Sequence, residues 1–149
     1  MRAVVQRVSR ASVSVDGEVV GAIERGLLVL VAVADEDQKS DADYLIEKIT
    51  ALRIFEDLEG RMNVSLKDAG GSLLIVSQFT LYGDVRRGLR PSWSDAAAPE
   101  KAEPLYEYFV ERGRSLIGRV QTGSFRKMMQ VELVNDGPVT ILLDSKKVF

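Results

Sequence analysis

The sequence predicts an α+β fold: a single compact domain over residues 1–149, with a curled, mostly antiparallel or mixed sheet of barrel-like form and two flanking helices. Three observations lead there. Strand-like segments come in groups separated by only two helical stretches, too few for regular βαβ alternation. Two runs, Leu27–Val33 and Leu73–Val76, are wholly apolar, as strands buried on both faces are. At 149 residues and 46% apolar content, the chain can bury one substantial core without needing a second domain.

In chain order, Val4, Val5 and Val8 precede Ser12-Val13-Ser14-Val15, whose period-two alternation marks a half-buried strand. Asp16-Gly17 is a two-residue hairpin signal, and Glu18–Ile23 is the returning strand. Arg7 reads as a solvated charge on the first strand. A helix is expected to begin near Ser40 or Asp41, with Ala42, Leu45, Ile46, Ile49 and Leu52 on one face. The acidic run Asp35, Asp37, Asp41 and Asp43 lacks a calcium-loop pattern and reads as a solvated helix start favoured by the helix dipole. Arg53–Glu56 and Met62–Leu66 read as short strands before a Gly70-Gly71 break. Ala96–Pro104 starts a second helix, with its two prolines early, and Leu105, Tyr108, Phe109 and Leu116 mark its buried face. Met128–Val134 and Val139–Leu143 read as two closing strands, joined through Asn135-Asp136-Gly137-Pro138 as a turn.

The composition contains neither cysteine nor histidine. That excludes disulfides, Cys/His zinc sites, and Cys-His or Ser-His-Asp nucleophilic catalysis. Acid-base chemistry would fall to carboxylates, lysine, hydroxyls, the backbone or the substrate itself. A net charge of −2 argues against nonspecific coating of nucleic acid. No apolar run approaches the roughly 20 residues of a membrane span, and the opening residues lack a secretory pattern, so a cytoplasmic location is expected.

Two stretches carry potential chemistry. The buried strand Leu73–Val76 runs into Ser77, Gln78, Phe79 and Thr80, which sets hydrogen-bonding side chains rigidly at the rim of the core. On local pattern alone this is also how a strand reaches the surface and stops. After Asp84, the segment Val85–Trp93 places Arg86, Arg87 and Arg90 among Gly and Pro, with Trp93 as an aromatic surface. Two readings fit it: phosphate contact with base stacking, or a solvated loop with Trp93 in the core.

Ser77-Gln78-Phe79-Thr80-Leu81 taken with Asn135-Asp136-Gly137-Pro138-Val139-Thr140 resembles the D-aminoacyl-tRNA deacylase family. The likeness extends to Val5-Gln6-Arg7-Val8, Gly26–Val29, Met62–Ser65, Arg90-Pro91-Ser92 and Ala97-Ala98-Pro99, and so to nearly the whole chain. The resemblance implies hydrolysis of the ester joining a D-amino acid, or mischarged glycine, to the 3′-terminal adenosine of tRNA, by a homodimer. It assigns Ser77, Gln78, Phe79 and Thr80 to the pocket for the adenosine and aminoacyl group, and matches Phe125 to the family's downstream phenylalanine. It also implies that Gly137-Pro138 is cis, enters the partner subunit's pocket and excludes an L side chain, with Arg7 fixing that motif. No metal or organic cofactor is implied. Family members commonly carry Gly-Ala-Asp or similar after this phenylalanine, whereas here Phe125 is followed by Arg126-Lys127-Met128-Met129. Without histidine, two mechanisms fit: assistance by the substrate's own 2′-hydroxyl with backbone N–H groups around Phe79 and Thr80 as oxyanion donors, or Thr80 as a covalent nucleophile.

Overall fold

In the computed structural model, which describes residues 1–149, the long opening strand β1 (Arg2–Val15) is the spine of the fold. Along one edge it pairs first with β3 (Gly26–Ala32), over Arg2–Val8, and then with β2 (Glu18–Ile23), over Ala11–Val15. Asp16 and Gly17 make the hairpin turn between β1 and β2, both at positive φ. Along the other edge lies β8 (Gln130–Asp144), antiparallel from Arg2 to Ser14. On the far side of β3, β6 (Ser72–Ser77) and then β7 (Val120–Thr122) add in parallel, so the sheet is mixed. A strand serving two neighbours on one edge forces the sheet to curl. The curl nearly closes where Gly21 of β2 meets β7: a Cβ on Gly21 would stand 2.4 Å from the Thr122 carbonyl oxygen. Only glycine permits that approach.

The curl divides the core. Inside it, Val8, Ala11, Val13, Ile23, Leu28, Leu74 and Val76 pack together. On its outer side, the odd-numbered positions of β3 and β6 meet two helices, α1 (Lys39–Ala51) and α2 (Pro99–Ile117). Both faces of β3 and β6 are therefore buried, which explains their unbroken apolar runs. α1 buries Ala42, Leu45, Ile46 and Ile49 as its spacing predicts. Its first turn is closed reciprocally by Gln38 and Asp41, whose carboxylate accepts the Gln38 N–H at 2.9 Å. A small separate pair, β4 (Phe55–Glu56) and β5 (Met62–Val64), stands where two short strands were expected.

Several expectations need correction. Asn135–Pro138 is not a hairpin turn between two strands. It interrupts one 15-residue strand: Asn135 faces Val8 and Thr140 faces Gln6, so residues 136–139 bulge from the ladder. The Gly137–Pro138 peptide is cis, as the family resemblance implied. β7 was not foreseen, because three half-polar residues carry no periodic signal. On α2 the deeply buried tyrosine is Tyr106, whose hydroxyl donates to the Ile75 carbonyl at 2.9 Å; Tyr108 is half-buried against Asp43, and Leu116 is also only partly buried. Asp37 and Asp41 are not solvated. Asp37 lies 2.6 Å from the Met1 amino group and accepts the Ala34 N–H, and Asp41 pairs with Lys146 at 2.9 Å. No cluster of metal-ligating side chains forms, and no helix is long and apolar enough to cross a membrane.

Candidate active site

β6 ends because its partner ends. Ser77 is still in register with Val31, and the Gln78 N–H bonds the Val31 carbonyl at 2.8 Å, but β3 stops at Ala32. The chain then takes one 3-10 turn, Phe79–Tyr82. Tyr82 anchors it, buried against Ala32 and Ala34 with the Arg2 guanidinium 4.5 Å from its ring. Burial, with Asp37 and Asp144 nearby, pushes the Tyr82 phenol well above its ordinary range, so it stays neutral. With Tyr82 held inward, Phe79 and Thr80 stay exposed. The turn's own ladder begins with the Leu81 N–H donating to the Gln78 carbonyl, so the Phe79 and Thr80 amides have no acceptor within it.

These residues line a cavity of about 710 Å³. Its floor is the end of the sheet, with Ala32, Val76 and Val131. Its walls are the 3-10 turn, Trp93, the start of α2 at Ala97, Pro99 and Ala102, and the segment Phe125–Met129. Phe79 meets Trp93 edge-on at 5.4 Å, and Phe125 rests against Tyr106 at 5.7 Å. The uncharged polar side chains are Ser77, Gln78 and Thr80, with the Gln78 amide donating to the Thr80 hydroxyl. The charged ones are Arg126 and Lys127. No carboxylate lines the cavity. It can therefore bind and orient an apolar or nucleoside-like group and present hydrogen-bond donors, but its lining offers no carboxylate or imidazole base.

Gly137, Pro138 and Arg7 lie elsewhere. Gly137 and Pro138 are exposed on the β8 bulge and do not line this chain's cavity. Arg7 is buried beneath them, contrary to its reading as a solvated charge. Its side chain rises through the gap in the ladder, donating to the Asp136 carbonyl at 3.0 Å and to the Ile54 carbonyl at 2.6 Å. Asn135 secures the bulge from within: its side-chain oxygen accepts the Val139 N–H at 2.9 Å, and its amide donates to the Thr140 hydroxyl at 3.0 Å. Gly137 sits at φ 134, where a Cβ would come within 2.7 Å of the Val139 side chain. The basic loop is pinned by paired backbone bonds between Asp84 and Ser92. Arg86 is engaged by Asp84 at 2.7 and 2.9 Å, which holds the Asp84 carboxyl down at about 2. Arg87 and Arg90 are exposed and in no ion pair, and none of the three arginines lines the cavity.

The structure thus gathers Ser77, Gln78, Phe79, Thr80 and Phe125, and separates them from Arg7, Gly137 and Pro138. Sequence reading passed over the apolar floor and the α2 start, whose residues carry no chemical signature.

A family model described as D-Tyr-tRNA(Tyr) deacylase matches residues 4–144. The chain belongs to the D-Tyr-tRNA(Tyr) deacylase family. A protein of Koribacter versatilis (strain Ellin345), named D-aminoacyl-tRNA deacylase, is 65% identical over 149 residues, covering 100% of both chains. A solved structure named c-Myc DNA Unwinding Element Binding Protein superposes with TM-score 0.92 at 43% identity, over 97% of this chain and 98% of its own. Another, described as a probable eukaryotic D-amino acid tRNA deacylase, shares the fold at TM-score 0.86 and 19% identity, over 96% and 98%. Members of this family are hydrolases of ester bonds.

Proposed function

We propose that this chain hydrolyses the ester of D-aminoacyl-tRNA, and of glycine mischarged onto tRNA, releasing free amino acid and tRNA. The observation that carries this reading is the cavity's donor set: a rigid strand end and first-turn amides, with no carboxylate or imidazole. An aminoacyl ester is already activated, so orientation and oxyanion stabilisation suffice. The terminal adenosine and aminoacyl group occupy the cavity between Phe79, Trp93 and Phe125. The Phe79 and Thr80 amides stabilise the tetrahedral oxyanion, Ser77 and Gln78 hold the substrate, and the vicinal 2′-hydroxyl positions or deprotonates water. Thr80 as nucleophile fits less well: its hydroxyl accepts from Gln78, and the cavity holds no carboxylate to take its proton. The cavity's one lysine, Lys127, is exposed to solvent, not desolvated as a lysine base is.

Chirality comes from a second subunit. Gly137 and Pro138 are exposed, rigidly seated on Arg7 and outside their own chain's cavity, as a group inserted into a partner's site would be. In this homodimer the inserted backbone leaves no room for an L side chain, so D side chains are accepted broadly. Arg87 and Arg90 contact tRNA phosphates, whereas Arg86 is largely neutralised by Asp84.

The deciding experiment is single-turnover hydrolysis of D- and L-tyrosyl-tRNA by the purified protein. Rapid loss of the D ester alone supports the proposal; comparable loss of both refutes the chiral filter. A second assay mixes a Gln78→Ala chain with a Gly137→Ala chain. Heterodimers hold one complete site, so activity returns to about a quarter of wild type if the motif acts across subunits. The 43% identical structure named for DNA binding favours a second reading, a nucleic-acid-binding module without hydrolysis. Tight, strongly salt-dependent binding of uncharged tRNA or DNA without turnover would establish that alternative.

A further inference from the structure

We infer that Arg126 and Lys127 form a phosphate clamp that seats the single-stranded 3′ end of the RNA as its terminal nucleoside enters the cavity; this rests on the tRNA-ester reading above. Four observations converge. Both residues line the cavity, and both are exposed, which places them at its rim. They are the only charged side chains of the lining, in a chain whose net charge is −2, so the positive field there is local. Lys127 has no carboxylate partner, and the one ion pair of Arg126 is to the exposed Glu100 at 4.0 Å, too long to neutralise it. Met128, 89% exposed, and Trp93, 40% exposed, also line the cavity, apolar surfaces that a stacked base would cover.

The geometry assigns a direction to the RNA. The terminal nucleoside lies inside against Phe79 and Phe125, so the phosphates next along the strand must leave through the rim, where the guanidinium and ammonium stand. Arginine pairs with a phosphate bidentately and lysine acts as a point charge, so one of each accommodates two successive phosphates of variable spacing. Arg126 also adopts φ 61, a conformation uncommon for any residue but glycine. Glutamine there keeps the same backbone preference and removes only the charge.

The test is equilibrium binding of a short single-stranded RNA ending in C-C-A, which requires no turnover. The Arg126→Gln/Lys127→Gln double variant should bind about tenfold more weakly at low salt, with a salt slope shallower by about 1.4, as two lost phosphate contacts on a single strand dictate. Arg126→Gly/Lys127→Gln, with a freer backbone, should lose as much. The same RNA with its 3′ end blocked by pairing in a duplex should bind the wild-type protein poorly, because a paired terminal nucleoside cannot enter the cavity. Unchanged affinity or slope in the variants would overturn the clamp, and so would equal binding of the blocked RNA. A wild-type protein that binds the RNA in this way but hydrolyses neither D nor L ester would sink the hydrolase proposal and leave the clamp standing.

Discussion

Two strands of this molecule are interrupted, and they are interrupted in opposite ways. β6 ends at Ser77 because its neighbour β3 runs out, and the chain folds inward into a 3-10 turn pinned by Tyr82. β8 does not end. It swells outward between Asn135 and Thr140 and rejoins the same partner, with Arg7 filling the gap. The first interruption makes a concavity lined by its own chain. The second makes a projection that does not line that cavity. A strand end next to a missing neighbour creates a pocket, and a bulge over a buried cation creates a projection. In the function proposed above, the one receives substrate and the other enters a partner's pocket.

The sharpest way to break this comparison is to remove chemistry from the pocket without touching the protein. D-Tyrosyl-tRNA ending in 2′-deoxyadenosine should lose about 10²–10³ in single-turnover rate, the scale of one lost preorganised group; an unchanged rate would mean that a protein side chain supplies the base after all. Next in size is the support of the bulge. Arg7→Ala leaves the buried Ile54 carbonyl unpaired, frees the Asp136 carbonyl and empties the gap beneath the bulge, and should cost about 3 kcal/mol, about 10 °C in Tm, with loss of D-ester hydrolysis. If thermal unfolding is unmoved, the bulge holds itself.

Smaller effects separate the bulge's local supports from those at its strand's far end. Asn135→Ala removes the side-chain bond to Val139 and should cost about 1 kcal/mol, with D-over-L discrimination relaxed before the rate falls. Asp41→Asn breaks the pair with Lys146, just beyond the end of β8, at similar cost. Burial acts to raise the Asp41 pKa, but hydrogen bonds from Lys146, the Gln38 amide and Ser145 outweigh it and hold the carboxyl at about 2. A folded-state pKa below the unfolded value stabilises above pH 3.8 and is lost as pH falls toward 2, so acid unfolding scans of wild type and Asp41→Asn should converge there. Discrimination should be unaffected, which distinguishes this site from Asn135. Smallest of all, Thr80→Ala should slow turnover about threefold, the loss of one neutral hydrogen bond. A collapse of several decades would restore Thr80 as nucleophile.

Most of the fold was legible in the residues. The apolar runs at Leu27–Val33 and Leu73–Val76 announced strands buried on both sides, Asp16-Gly17 its hairpin, and the spacing of Leu45, Ile46 and Ile49 the buried face of α1. The lack of histidine and cysteine narrowed the chemistry before any geometry was known. These are local properties, written in composition and period. What tertiary structure alone decided was which charges are solvated and which turns are turns. Arg7 looks like any strand cation until β8 arches over it, and Asn135–Pro138 has the composition of a hairpin turn until β1 is seen to pair with both sides of it. Asp37 and Asp41 likewise became buried partners only when Met1 and Lys146 arrived from the chain's two ends. Each of these outcomes depends on a partner more than 30 residues away, and no local pattern encodes such a partner. The cavity is of the same kind: its polar edge was visible at Ser77–Thr80, but its floor and walls come from small apolar residues that only the closed sheet brings together.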